Sequence, residues 1–451
     1  MSGFGLGPVV LWTLYLTVMG AVVISALRRP EIGLYVLIPL LPNETLRAKL
    51  HGFLLADQFI DLLMLGIAVG LFLRGQRIFA SSALRKVVFT LWILTFVTLW
   101  TGSLLNDLPL PAPFSDIRFS DWKNYCRIAF LLFLAQQTIQ TRKQMLLVVV
   151  LMCIGMLWVE RSFILSNRGR TFDTFSYTKR DPATMVSAGE NGLAAFLAQN
   201  ALFILAFALS QEKVRRWAFT FLGLATTACM VMVFSRGAYL AFAIGFIALG
   251  IFKRRGLVFA TIAFLIVSLA IGATIIPGAV IERITMTQQA NGELEASAAG
   301  RLIMWDLVMG LFKQHPWFGA GFDTVKFLVH YEGLADAHNY YIQLLGEMGV
   351  AGFSVFLWLL GTALASSWRL FRRANDPMLM SIGLGSLVCV ICIAIGNCFG
   401  NRWGYIERSG YTFIMFGMVY RGLNMVEEEA EAYPEPTELP ALEQAAPELV
   451  N

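Results

Sequence analysis

The sequence predicts an all-α polytopic membrane protein, with about 12 transmembrane helices and one large helical loop on the outer side. Three observations carry this. First, 57% of the 451 residues are hydrophobic and only 14% charged, with a mean hydropathy of +0.65, whereas about a quarter of a soluble domain is charged. Second, apolar stretches near the ~20 residues that span a bilayer recur along the chain. Third, basic clusters fall in alternate connections between those stretches, the pattern of cytoplasmic loops.

The N-terminal region, 1–214, holds apolar stretches at 9–27, 54–73, 87–105, 125–140, 145–164 and 190–210. The first has no basic segment before it and is expected to remain as a span. An apolar piece at 31–42 is short for a crossing, so twelve spans are preferred to thirteen, although Arg28 and Arg29 favour thirteen. Residues 215–277 add stretches at 217–233, 237–252 and 257–277, with Ser235-Arg236-Gly237 in the first turn between them. Residues 278–348 form a loop subdomain of mixed polarity, long enough to point to function. Spans at 349–368, 379–397 and 410–423 complete the region 349–425. The tail, 426–451, is read as disordered and cytoplasmic: from Glu427 on it holds eight of the 30 acidic residues and no Lys or Arg.

Arg74, Arg77, Arg85 and Lys86 form one basic cluster; Arg142 with Lys143, Lys213 with Arg215 and Arg216, Lys253 with Arg254 and Arg255, and Arg369 with Arg372 and Arg373 form four more. These are placed inside. The connections 43–53, 106–124, 165–189, 278–348 and 398–409 then lie outside. Two outer segments break the bias: Arg161, Arg168, Arg170, Lys179 and Arg180 in one loop, and Arg236 in a tight turn at the membrane boundary. Cations there call for anionic partners, either lipid headgroups or a substrate.

Within the large loop, residues 300–312 have helical spacing, His315-Pro316 ends the helix and Gly319-Ala320-Gly321 supplies a turn. The helix is expected to lie on the membrane surface with Trp305 and Trp317 at headgroup depth. Arg301 is expected to open it, against the helix dipole, as if an anion compensated. Asp336 is expected to cap a helix starting at Ala337, putting His338 in its first turn. There the imidazole stays neutral near pH 7 and can accept a proton.

Cys389 and Cys392 form a CxxC, read as small packing residues of an apolar helix. The separations of His51, His315, His330 and His338 match no short metal-ligand motif, and no phosphate-cradling glycine loop precedes a helix. No metal or cofactor is therefore expected.

Taken together, Ser235-Arg236-Gly237, Gly300-Arg301 with Trp305, His315-Pro316 before Gly319-Ala320-Gly321, Ala337-His338-Asn339-Tyr340 and Glu347-Met348-Gly349 resemble the O-antigen ligase and polymerase superfamily. Trp122 with Lys123, and Glu190-Asn191-Gly192, are similar to family features too. The resemblance covers about 215–370 well. It implies a GT-C-like glycosyltransferase of the bacterial inner membrane, with its active site facing the periplasm. The donor would be an undecaprenyl-pyrophosphate-linked glycan and the acceptor lipid A-core; membrane lipids are the other partners, and no nucleic acid is expected. His338 would then be the general base, with Arg236 and Arg301 holding the pyrophosphate. Lys179, Arg180, Asn339 and Tyr340 would contact substrate. A polymerase joining lipid-linked repeat units, a ligase acting on a protein or exopolysaccharide, and, more distantly, a transporter are the alternatives.

Overall fold

The computed structural model describes residues 7–112, 116–169, 184–185, 189–253, 256, 278–285, 296–331 and 336–432. The expected span at 257–277, Lys179 and Arg180 in the outer loop, and the tail beyond 432 lie outside the described residues. Where described, regular structure is helical: α1 (Pro8–Leu27), α2 (Pro30–Leu40), α3 (Phe59–Leu73), α4 (Ala83–Leu105), α5 (Ile117–Thr138), α6 (Arg142–Ser166) and α7 (Gly189–Ala208). Then follow α8 (Lys213–Met232), α9 (Arg236–Lys253), α10 (Gly278–Thr285), α11 (Ala296–Gln314), α12 (Tyr340–Arg373), α13 (Pro377–Gly396) and α14 (Ile406–Ala432).

Eight helical segments among the described residues are long and apolar enough to cross a membrane: α1, α3 with the turn before it, α4, α6, α7, α9, α12 and α13. The ambiguous 31–42 piece is the short apolar helix α2. Helix α14 runs to Ala432, past the boundary expected for the tail.

Local sequence sets the starts of several helices. Ser82 and Asp116 accept backbone N–H bonds at the starts of α4 and α5, and Thr141 with Gln144 forms a capping box on α6. Asp376 accepts from Met378 and Leu379 before a helix whose first residue is Pro377. Helices α7, α13 and the first half of α14 are buried on nearly every face, and α13 packs on both α7 and α12. Helices apolar all round belong in such a centre. By contrast α1 buries only Val18, Ala21 and Ser25 and presents its remaining faces outward.

Side-chain contacts define two ends. At one, Gln136 donates to the Ser81 carbonyl at 3.3 Å, Arg142 stands 3.6 Å from Asp376 and also pairs with Glu429, and Lys253 reaches Met380. Several basic connections read from the sequence thus share this end. At the other, Asn106 donates to the Ala320 carbonyl at 2.7 Å, Lys326 reaches Asp121 at 2.6 Å, the hydroxyls of Tyr125 and Tyr340 stand 3.3 Å apart, and Arg47 pairs with Glu407. The His338 segment belongs to this second end.

Candidate active site

The frame of the site is a backbone junction. Helix α12 breaks at Gly349 (φ 60°, ψ −160°), a conformation essentially confined to glycine. The break frees backbone groups that the turn after α11 takes up. Ala320 N–H donates to Gly346 O and Gly321 N–H to Glu347 O, both at 2.8 Å. In return, Val350 N–H donates to Pro316 O at 2.9 Å and Ala351 N–H to Trp317 O at 3.0 Å. A Cβ on Gly319 would stand 2.3 Å from the Glu347 carbonyl carbon, and one on Gly349 2.4 Å from that of Trp317. The His-Pro, Gly-Ala-Gly and Glu-Met-Gly motifs are therefore two sides of one joint.

The joint leads into the His338 segment, where the structure corrects the expected cap. Asp336 does not begin a helix at Ala337: α12 starts at Tyr340, and its N-cap is Asn339, whose side chain accepts from Tyr341 and Ile342 N–H at 3.1 and 3.3 Å. His338 lies before the helix in the left-handed region, with φ 46°. Asp336 holds it twice. The Asp336 carboxylate accepts the His338 backbone N–H, and His338 Nδ1 stands 3.1 Å from Asp336 Oδ1. A carboxylate on Nδ1 selects the tautomer that leaves Nε2 free to accept a proton. Burial lowers the His338 pKa below the ordinary imidazole value; Asp336 opposes this, and the charges of Arg301 and Arg402 add to it. The neutrality expected from a helix N-terminus thus comes from burial and nearby cations.

Arg301, whose charge acts on this histidine, stands on α11. That helix begins at Ala296, so Arg301 sits in its second turn instead of opening it, and the dipole argument does not apply. Trp305, expected among lipid headgroups, is turned inward. Its indole N–H donates to the Ala337 carbonyl at 2.7 Å, and its ring packs against a small core containing Met304, Val308, Val325, Val329 and Ala337. Trp317 and Phe318, by contrast, are exposed, 71% and 59% accessible.

The second cation, Arg402, was not singled out in the sequence, where nothing local distinguishes it from any basic residue in a connecting loop. It is buried, donating to the Phe399 carbonyl at 2.9 Å through a side-chain nitrogen and to Asn397 Oδ1 at 3.0 Å through its backbone N–H. Arg408 is also buried, donates to the Asn401 carbonyl, packs its guanidinium 4.2 Å from the Tyr405 ring centroid, and feels the charge of Asp336.

Arg236 is the first residue of α9, after the three-residue turn 233–235 that contains left-handed Phe234 (φ 59°). A helix N-terminus carrying an arginine is suited to an anion, since backbone N–H groups, dipole and guanidinium point the same way electrostatically. Ser235 Oγ donates to Asn191 Oδ1 at 2.9 Å, joining the Glu190-Asn191-Gly192 and Ser-Arg-Gly motifs. A Cβ on Gly237 would stand 2.6 Å from Phe399 Cβ, and Gly237 and Arg402 line the same small cavity. The Ser-Arg-Gly turn is thereby packed on the segment that bears Arg402. Helix α10 covers the turn through Ala279 and Val280 against Phe234 and contributes a further buried arginine, Arg283.

Of the other sequence-selected residues, Asn339 is occupied in capping and Tyr340 is buried with its hydroxyl 3.3 Å from that of Tyr125. Lys179 and Arg180 lie outside the described residues.

Comparison with known families places a match to the O-antigen ligase family on residues 221–357, the stretch that holds Arg236, Arg301, Asp336 and His338. No curated protein matches the chain. The motifs and that match fall on the same stretch, where this membrane protein is similar to the O-antigen ligase family.

Proposed function

We propose that the protein is an O-antigen ligase: it moves a glycan from undecaprenyl pyrophosphate to a hydroxyl of lipid A-core on the periplasmic face of the inner membrane. The observation that carries this reading is the Asp336–His338 pair faced by Arg301 and Arg402, a neutral base beside cations. In the reaction, His338 Nε2 takes the proton of the acceptor hydroxyl as its oxygen bonds to the anomeric carbon. The bond from that carbon to the pyrophosphate oxygen breaks, and the configuration inverts. The departing oxygen's growing negative charge falls to Arg236, Arg301 and Arg402, whose guanidiniums can bind it bidentately. Asp336 orients the ring and stabilises the imidazolium that forms. No metal is needed for any of these roles.

The test is transfer in liposomes, with lipid-linked glycan from the native host and lipid A-core as acceptor. Loss of a general base costs about 10²- to 10⁴-fold, so His338→Ala should bind donor while transferring at that reduced rate. Unchanged turnover would remove His338 from the mechanism. Longer lipid-linked chains without a lipid A-core product would identify a polymerase.

A further inference from the structure

A second polar space lies behind the His338 segment. It encloses about 150 Å³ between α5, the loop after Phe322, the first turns of α12 and the connection before α14. Its walls differ in charge from the arginine-lined side of the same segment. Asp121, Asn124, Gln343, Glu347 and Asn401 line it together with Tyr405, and Arg127 is the one basic residue among its described lining. Several of the charged groups are already engaged. Lys326 sits 2.6 Å from both Asp121 and Asp323, and Arg127 pairs with Asp61 at 2.9 Å. Glu347 accepts from Gln343 Nε2 at 3.1 Å, whereas the Gln343 Oε1 has no hydrogen-bond partner among the described residues. Asp323 is held in the left-handed region at φ 61°, and burial together with Glu347 pushes its carboxyl pKa up. A pyrophosphate would meet carboxylates here. Hydroxyl groups, which both donate and accept, suit amides and carboxylates of this kind.

We propose that this cavity receives a sugar ring of the acceptor, so that the two substrates are sorted by charge across one wall: pyrophosphate on the arginine side, acceptor saccharide on the amide and carboxylate side. The wall is short. Tyr340 lines the cavity two residues after His338, and Asn401 lines it one residue before Arg402. A ring held here brings its neighbouring hydroxyl towards the histidine. Gln343 and Asn124 are the specificity residues, because their neutral amides can each exchange hydrogen bonds with a hydroxyl while holding no structural ion pair. The inference rests on the glycan-transfer reading above.

The test is calorimetric binding to the full-length protein in lipid nanodiscs, using two soluble probes: core oligosaccharide freed from lipid A, and inorganic pyrophosphate. Gln343→Leu and Asn124→Leu should each weaken oligosaccharide binding about 3- to 10-fold, the value of one hydrogen bond. Both should keep wild-type pyrophosphate binding, which also shows that they fold. Arg301→Gln should do the reverse. Oligosaccharide binding that is absent in wild type, or unchanged in both leucine variants, would overturn the assignment. So would preferential, Gln343-dependent binding of the donor's repeat-unit oligosaccharide. Gln343-dependent core binding by a wild type that transfers no glycan would uphold the cavity and overturn the ligase reading instead.

Discussion

His338 owes its properties to what surrounds it. The proposed base works when neutral, so on that reading kcat/KM should fall as the pH drops through its pKa, which burial, Arg301 and Arg402 hold below the ordinary imidazole value. Removing a cation raises that pKa, so the acidic limb of the profile should move to higher pH in Arg301→Gln. Asp336→Asn removes the one charge that raises it; there the limb should move to lower pH, with a reduced plateau from the loosened ring. pH–rate profiles of the three proteins check both signs, and a limb that ignores both substitutions would exclude His338 as the titrating group. The residue types of this centre were legible in the sequence through the motifs that carry Arg301 and His338. Their partnership was not. Asp336 looked like a helix cap because Asp immediately before a helical pattern often is one; here the chain turns left-handed at His338 and the carboxylate closes on the imidazole. Arg402 escaped notice because only burial, a three-dimensional property, separates it from its loop neighbours.

Among the elements, α12 shows how a motif can be read without its meaning. Gly346, Gly349 and Gly352 recur every third residue, the pattern of a small-residue packing stripe. Gly346 and Gly352 do lie in close contact, with Val308 and Met348 respectively, but Gly349 is a break. An alanine there would be forced into a backbone conformation essentially confined to glycine, about 1–3 kcal/mol unfavourable, and push into Trp317, about 1–3 kcal/mol more. Gly349→Ala should therefore lower the thermal unfolding temperature and reduce transfer, whereas Gly361→Ala, where a Cβ meets nothing, should do neither. Trp305 failed as a surface marker for a related reason. Amphipathic spacing says which face of α11 is apolar, not whether lipid or protein covers it, and the segment 325–329, a short helix over Val325–Leu328, supplies the protein with Ala337.

At the scale of the molecule, hydropathy located almost every described helix, since a spanning segment must satisfy its backbone internally. Helices α5, α8 and α14 carry enough charge to blur that signal. Charge also orients the chain. With the basic end inside, a cysteine replacing exposed Trp317 should react with an impermeant maleimide on intact spheroplasts, and one replacing exposed Arg77 only after permeabilisation. The reverse pattern would invert the protein and place the histidine in the cytoplasm.

The joint between the Gly-Ala-Gly turn and the broken helix has a consequence for traffic. Four main-chain bonds, continuous with a helix rooted in the bilayer, make that part of the outer subdomain a fixed lintel. It cannot swing like a flap over an entering molecule. On the proposed ligase reading, two lipid-anchored reactants would then come and go sideways, sliding along the membrane plane beneath it, and turnover would be paced by lateral exchange of spent carrier and finished product.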